Sequence, residues 1–302
     1  YNMKVLFYTD VTWSLGTIHN QLVKEFYAKG IYSNLLNWDI AYSAQELYYL
    51  NSIYDVFVTL PGTQVTRLIE GGIPPEKIVA IANGRYDVMH GTQANNPWDK
   101  LRKVGGVSPD VAQTYRAFGH EFPVEVVQNG IDFNLFYRPA AEKLERLGYF
   151  GSDFAMDVLD SNKDCKRKHI AESIAEHTQL PLIGTGGKLV NLCMSALYNN
   201  IDSLIMPSSS SGACGLPYME AAAAGRLPIS APVGIVHHLS KPAGLVMRMA
   251  DEDFVNQAVI QVNELKGNPT RFHKLCVEAQ DFAREYYDWS KVIDRWIDVI
   301  CN

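Results

Sequence analysis

Short apolar runs alternate with helix-period stretches along the chain, and this alternation most constrains the fold. Lys4–Tyr8 (KVLFY) is apolar almost throughout, which predicts a strand buried on both faces. Ile18–Lys29 then puts Ile18, Leu22 and Phe26 on one helical face, and Gly30 supplies a stop. Asp55–Leu60, Lys77–Ala82, Lys103–Val107 and Val124–Val127 repeat the strand pattern. The polar, proline-bearing stretch Phe136–Lys143 reads as an interdomain linker, after which the pattern restarts. Strands are expected at Leu147–Phe150, Leu180–Gly184, Ser203–Met206 and Leu227–Ser230. Helices are expected at Arg167–Thr178, Leu192–Tyr198 and Pro217–Ala224, with a mostly helical tail from Asp251 to Asn302. The chain is thus expected to hold two α/β halves, each a doubly wound parallel sheet covered by helices. In such sheets ligands sit at the carboxyl ends of the strands, so the informative residues belong to the loops that follow strands.

Composition narrows the function classes. A length of 302 residues suits two domains, and 47% apolar with 20% charged residues excludes disordered, collagen-like and coiled-coil chains. No apolar run approaches the ~18 residues of a membrane span. Met3–Tyr8 is too short for a secretory signal and ends at Asp10. The net charge of −6 argues against a non-specific nucleic-acid binder. Residues 1–139 carry 11 Lys and Arg against 13 Asp and Glu, which neither demands nor excludes a polyanionic partner. The five cysteines are widely spaced without a C-x-x-C pair, which suggests reduced thiols and a cytoplasmic location. His237-His238 would point to opposite faces of a strand, so they make a poor metal pair.

The segment Ile205–Gly234, IMPSSSSGACGLPYMEAAAAGRLPISAPVG, carries the chemistry. It reads as a strand, a loop nearly free of side-chain bulk, a helix and a second strand. Such a loop lets backbone N–H groups approach an anion or sugar hydroxyls, and Pro217 suits the first helical turn. The helix N-terminus then offers N–H groups and a positive dipole end to a phosphate. Glu220, placed within the first turn or so, can accept two vicinal hydroxyls, as a ribose presents them. Ala221–Ala224 allows tight packing of that helix on the sheet.

This segment resembles the retaining GT-B glycosyltransferases of family four. Pro207, Ser208, Gly215, Leu216, Pro217, Glu220, Ala221, Ala223, Gly225 and Gly234 match the family's pattern in register, with Pro228 one residue late. Asn129-Gly130-Ile131-Asp132 with Phe136 is similar to its domain-junction motif, and Val107-Ser108 to the V-S that precedes the junction. Asn162 with Lys166-Arg167 resembles its N-x-x-x-K-R variant, and Trp289 with Trp296 its closing helix, which crosses back to the first domain.

The resemblance implies a GT-B fold: two Rossmann-like doubly wound domains facing a cleft. Residues 1–140 with a crossing helix over 287–302 would form the acceptor side, and 141–286 the donor-binding side. It further implies transfer of a sugar, with retention, from a UDP- or GDP-linked donor to a hydroxyl. Neither a metal nor any other cofactor is implied. Lys166 is the first candidate for the cation on the leaving diphosphate, and Arg167 the second. Asn83 falls where the family has a histidine. Donor contacts are expected from Glu220, Gly16, Ser208, Ser211, Gly212, Ala213, Cys214, Gly215, Leu216 and Gly184. The family's second glutamate falls on Glu220, but its first falls on Gly212, and no acidic residue lies between Pro207 and Met219. Two readings therefore stay open: an active transferase, or a degenerate relative that binds nucleotide or glycan without turnover. By family analogy the acceptor is a glycan or lipid-linked glycan by default, with modified DNA as an alternative, and the oligomeric state stays open. The expected location is cytoplasmic, with a membrane-peripheral or virus-infected-cell setting as the alternatives.

Overall fold

A computed structural model describes residues 3–153, 162–185, 193–209, 215–236 and 243–302. The chain divides into two units, Tyr1–Gly130 with Trp289–Asn302, and Ile131–Asp288.

The first unit is built on β1 (Lys4–Thr9), β2 (Tyr32–Asn37), β3 (Val56–Thr59), β4 (Ile78–Ala82), β5 (Lys103–Gly106) and β6 (Glu125–Val126). These pair in parallel in the order β2-β1-β3-β4-β5-β6, with Val5 opposite Val56 and Phe57 opposite Ile78. β3 and β4 are buried at every residue, as strands covered on both faces must be. The connecting helices are α1 (Ser14–Ala28), α2 (Ala44–Ile53), α3 (Thr63–Glu70), α4 (Arg85–Gln93) and α5 (Pro109–Ala117). The chain end returns to this unit as α12 (Trp289–Cys301), where Trp296 Nε1 donates to the Gln128 carbonyl at 2.8 Å. α1 lies on the Phe7 side of the sheet, with the rings of Phe26 and His19 against Phe7. His19 is buried, and burial pushes its pKa down to about 3, so it stays neutral.

The second unit contains β7 (Leu147–Tyr149), β8 (Leu182–Gly184), β9 (Ser203–Met206), β10 (Leu227–Ser230) and β11 (Leu245–Val246), parallel in the order β11-β10-β9-β7-β8. Its helices include α6 (Phe133–Phe136), α7 (Lys168–Thr178), α8 (Met194–Leu197), α9 (Leu216–Ala223), α10 (Asp251–Lys266) and α11 (Pro269–Tyr286). The four alanines at 221–224 are fully buried, and α9 packs against β9, β10 and α11. β8 follows β7 on one side while β9 returns to the other, so the order reverses between β7 and β9. That reversal opens a crevice at the carboxyl ends of β7 and β9.

Two expectations need correction. β2 went unseen because it is an edge strand with half-exposed positions and polar Ser33, Asn34 and Asn37, which break the apolar run. The stretch Phe136–Lys143 is not a free linker. Phe136 and Ala141 are buried, the Ala141 N–H donates to the Gly225 carbonyl at 3.0 Å, and Arg226 Nη1 donates to the Pro139 carbonyl at 2.8 Å. It is therefore packed into the second unit.

Candidate functional site

The crevice of the second unit is bordered by Phe150 and Gly151, which follow β7, and by Ser208 and Gly215, which lie between β9 and α9. Gly215 caps α9 with φ 79°, a left-handed backbone that glycine adopts without strain. The Met219 N–H donates to the Gly215 carbonyl at 3.1 Å as the first intrahelical bond. The N–H groups of Leu216 and Tyr218 lie ahead of that ladder, and Pro217 has none to leave unmet. Ser208, Gly215 and Pro217 line a cavity of about 80 Å³ with Phe150, Gly151 and Lys166. A left-handed glycine, a helix start and one lysine thus meet at the topological switch point.

Two hydrogen bonds of its neighbours, one backbone and one side-chain, flank Lys166. The Ser209 N–H donates to the Cys165 carbonyl at 2.8 Å, and Arg167 Nε donates to the Pro207 carbonyl at 2.5 Å. Residues 165–167 are thereby pinned along 207–209 with Lys166 between the ties. Tyr149, at the end of β7, adds a third tie: its hydroxyl donates to the Ser152 and Lys166 carbonyls at 2.9 and 3.4 Å.

Arg167, expected as the second cation on the diphosphate, is tied into the protein. It is 6% exposed and adopts a left-handed backbone at φ 51°. Besides its tie to Pro207, its Nη1 donates to the Met249 carbonyl and to Asp251 Oδ1. The guanidinium is committed to holding β9's exit against the start of α10, and Lys166 alone of the pair lines the cavity.

Glu220 is the fifth residue of α9, so it sits in the second turn. It is half-buried, and Tyr198 Oη donates to its Oε2 at 2.8 Å and to the Pro217 carbonyl at 3.3 Å. Burial raises the Glu220 pKa to about 7 from 4.5, with the tyrosine bond opposing the shift. Tyr198 is fully buried, edge-on to Phe150 and Phe136 at centroid distances of 5.0 and 5.8 Å. Sequence reasoning missed Tyr198 as a site residue, because a tyrosine at a short helix's end reads as core. Glu220 does not itself line the cavity; it stands, held by a rigid phenol, on the helix whose start borders it, while Lys166 lines it. A carboxylate can accept a ribose diol, and a lysine with a helix start can meet a diphosphate.

Gly184 ends β8, opposite Tyr149 in the register, and does not line the described cavity. Ser211, Gly212, Ala213 and Cys214 lie outside the described residues, as do His237 and His238. Gly16 and Asn83 belong to the first unit. The Gly16 N–H donates to Asp10 Oδ2 at 3.2 Å, and a Cβ there would come within 2.5 Å of the Asp10 carbonyl oxygen. Asp10 also accepts from the Thr12 and Trp13 N–H groups, so this buried carboxylate, missed in the sequence, shapes the loop after β1. Asn83 follows β4; its N–H donates to Asp87 Oδ2 at 2.7 Å, and its Oδ1 accepts from Asn129 Nδ2 at 3.3 Å. Burial lifts the Asp87 carboxyl to about 6. Among the described residues no three His, Cys, Asp or Glu side chains converge as metal ligands, and no helix is long and apolar enough to cross a membrane.

No family model matches the chain, and no curated protein matches it. Solved structures match its fold. HepE from Anabaena, in complex with UDP and glucose, aligns with a TM-score of 0.69 at 12% identity over 100% of both chains. An alpha-glucosyltransferase in complex with UDP and a 13-mer DNA containing an HMU base aligns with a TM-score of 0.69 at 9% identity, again over 100% of both chains. A mutant of TarM from S. aureus, in complex with fondaparinux, alpha-GlcNAc-glycerol and UDP, aligns with a TM-score of 0.62 at 10% identity, over 85% of this chain and 58% of that one. The chain therefore has the GT-B fold, with parallel Rossmann-like sheets of six and five strands.

Proposed function

We propose that this chain is a metal-independent, retaining glycosyltransferase that uses a UDP-linked sugar. The observation that carries the reading is the grouping of Lys166, Ser208 and Gly215 around one crevice, with Glu220 set behind Pro217 on the same helix. Glu220, once ionised, accepts the two ribose hydroxyls. The ammonium of Lys166 and the start of α9 face the diphosphate. Negative charge grows on that diphosphate as the glycosidic bond breaks, and fixed positive ends aimed at it lower the barrier by about 3–4 kcal/mol per well-placed donor. With the cation supplied by lysine, the diphosphate needs no metal counter-ion. A donor phosphate oxygen on the same face takes the acceptor's proton, which delivers retention without an enzymatic nucleophile. UDP is favoured over GDP because the structural neighbours above hold UDP.

A thermal-shift panel with UDP, GDP, ADP and dTDP, on wild type beside Glu220→Ala, tests the donor site. UDP is expected to raise the wild-type melting temperature and to lose that effect in the variant. A response to no nucleotide, or one indifferent to Glu220→Ala, overturns the reading. One sequence feature favours the runner-up, a protein that binds without turnover: Pro207–Met219 contains no carboxylate to position the transferred sugar. Tight UDP binding with no sugar released or transferred would select it.

A further inference from the structure

The first unit contains a pocket of about 410 Å³ between α2, α3 and the turn after β2, within the size range of small-ligand sites. Its wall is aromatic. Phe7 faces α1, so Tyr8, the next residue of β1, faces the other side of the sheet. There it meets Trp38 edge-on, at 6.2 Å and 81°. Trp38 is pinned at both ends of its residue: its N–H donates to the Thr9 carbonyl at 2.9 Å, and its carbonyl accepts from Arg67 Nη1 at 3.3 Å. Asn37 Oδ1 accepts the Asp39 N–H at 3.0 Å and tightens the turn. Tyr42 is half-buried on the pocket wall, and burial together with Tyr8 and Glu46 raises its pKa, so its hydroxyl keeps its proton. A capping box between Ser43 and Glu46 fixes the start of α2 behind it.

The pocket's charged side chains, Asp39, Arg67 and Glu70, form no salt bridge among the described residues. All three are exposed, and Arg67 keeps its bond to the Trp38 carbonyl. Pinned aromatic faces beside uncommitted carboxylates and an exposed guanidinium suit a ligand with apolar C–H faces and vicinal hydroxyls. Two carboxylates against one guanidinium disfavour a phosphate-bearing strand in this pocket.

We propose that this pocket is a subsite for a neutral hexose unit, which makes the acceptor an uncharged glycan. The proposal rests on the glycosyl-transfer reading above, but it is tested by binding alone. The full chain is titrated with maltotriose, cellotriose, mannotriose and chitotriose by ligand-observed NMR, and with a DNA oligonucleotide as a polyanion, each with and without UDP. At least one trisaccharide is expected to bind. Trp38→Ala should weaken it about tenfold or more, and the exposed-site variants Asp39→Asn and Glu70→Gln should weaken it several-fold while keeping the fold. UDP affinity should be unchanged in all three. Binding of no trisaccharide, or binding unchanged in all three variants, overturns the proposal. So does DNA binding that Trp38→Ala abolishes, which would assign the pocket to stacked bases. If a trisaccharide binds and is lost in Trp38→Ala while UDP never binds, the pocket stands and the donor reading falls.

Discussion

Glu220→Gln should stabilise the free protein and disable its donor site, and pH separates the two effects. In the native protein burial raises the Glu220 pKa to about 7 from 4.5. Between those values the native state holds a proton that the unfolded chain has released. Stability therefore falls as pH rises through this window and levels off above it. A shift of this size corresponds to about 3 kcal/mol, and a discount for the half-exposed residue leaves about 2 kcal/mol. Glutamine carries no charge to desolvate and keeps a carbonyl oxygen for the Tyr198 hydroxyl now bonded at 2.8 Å. At pH 8 the variant's unit should melt higher by roughly 4–8 °C, and near pH 4.5 the two proteins should melt together. UDP affinity should fall about tenfold to a hundredfold, because a charged acceptor is lost from the diol. Differential scanning calorimetry across pH 4.5–8.5, with calorimetric titration of UDP at pH 8, reads both. A variant that melts lower at pH 8, or a melting difference independent of pH, would refute the burial argument.

Other consequences follow from the same geometry. Lys166→Ala should slow sugar transfer or donor hydrolysis about 10²–10³-fold with little change in melting temperature, because the side chain faces the crevice rather than the core; initial rates with UDP-glucose check this. Arg167→Ala should instead destabilise by about 2–4 kcal/mol, since it unties Pro207, Met249 and Asp251 together, and chemical denaturation measures it. Gly16→Ala should cost about 2–3 kcal/mol by forcing a methyl against the Asp10 backbone, read as a lower melting temperature.

Much of the architecture was legible because strands covered on both faces announce themselves: VFVT, IVAIA and SLIM are buried at every position. β2 was not, since an edge strand needs no continuous apolar run. In the second unit the start of α9 was legible because Pro217 suits a first helical turn. The separate surroundings of Lys166, Arg167 and Lys168 were not, because the partners of adjacent cations come only with the fold. Lys168 pairs with Asp153, Arg167 is committed to two carbonyls and Asp251, and Lys166 lines the crevice. Tyr198 meets Glu220 only through the fold, 22 residues away in sequence. The Phe136–Lys143 stretch misled because its backbone partners, Gly225 and Arg226, lie far along the chain.

The central claim is that the crevice of the second unit binds a nucleotide-sugar and breaks its glycosidic bond. The most direct measurement is proton NMR of UDP-glucose incubated with wild type, Lys166→Ala and Glu220→Ala, following both UDP and the anomeric signal of the sugar. The account predicts that wild type releases UDP and yields an α-configured sugar first, and that both variants lose this turnover. UDP-glucose left intact by wild type with no binding, together with the same result for GDP-, ADP- and dTDP-glucose, would contradict it.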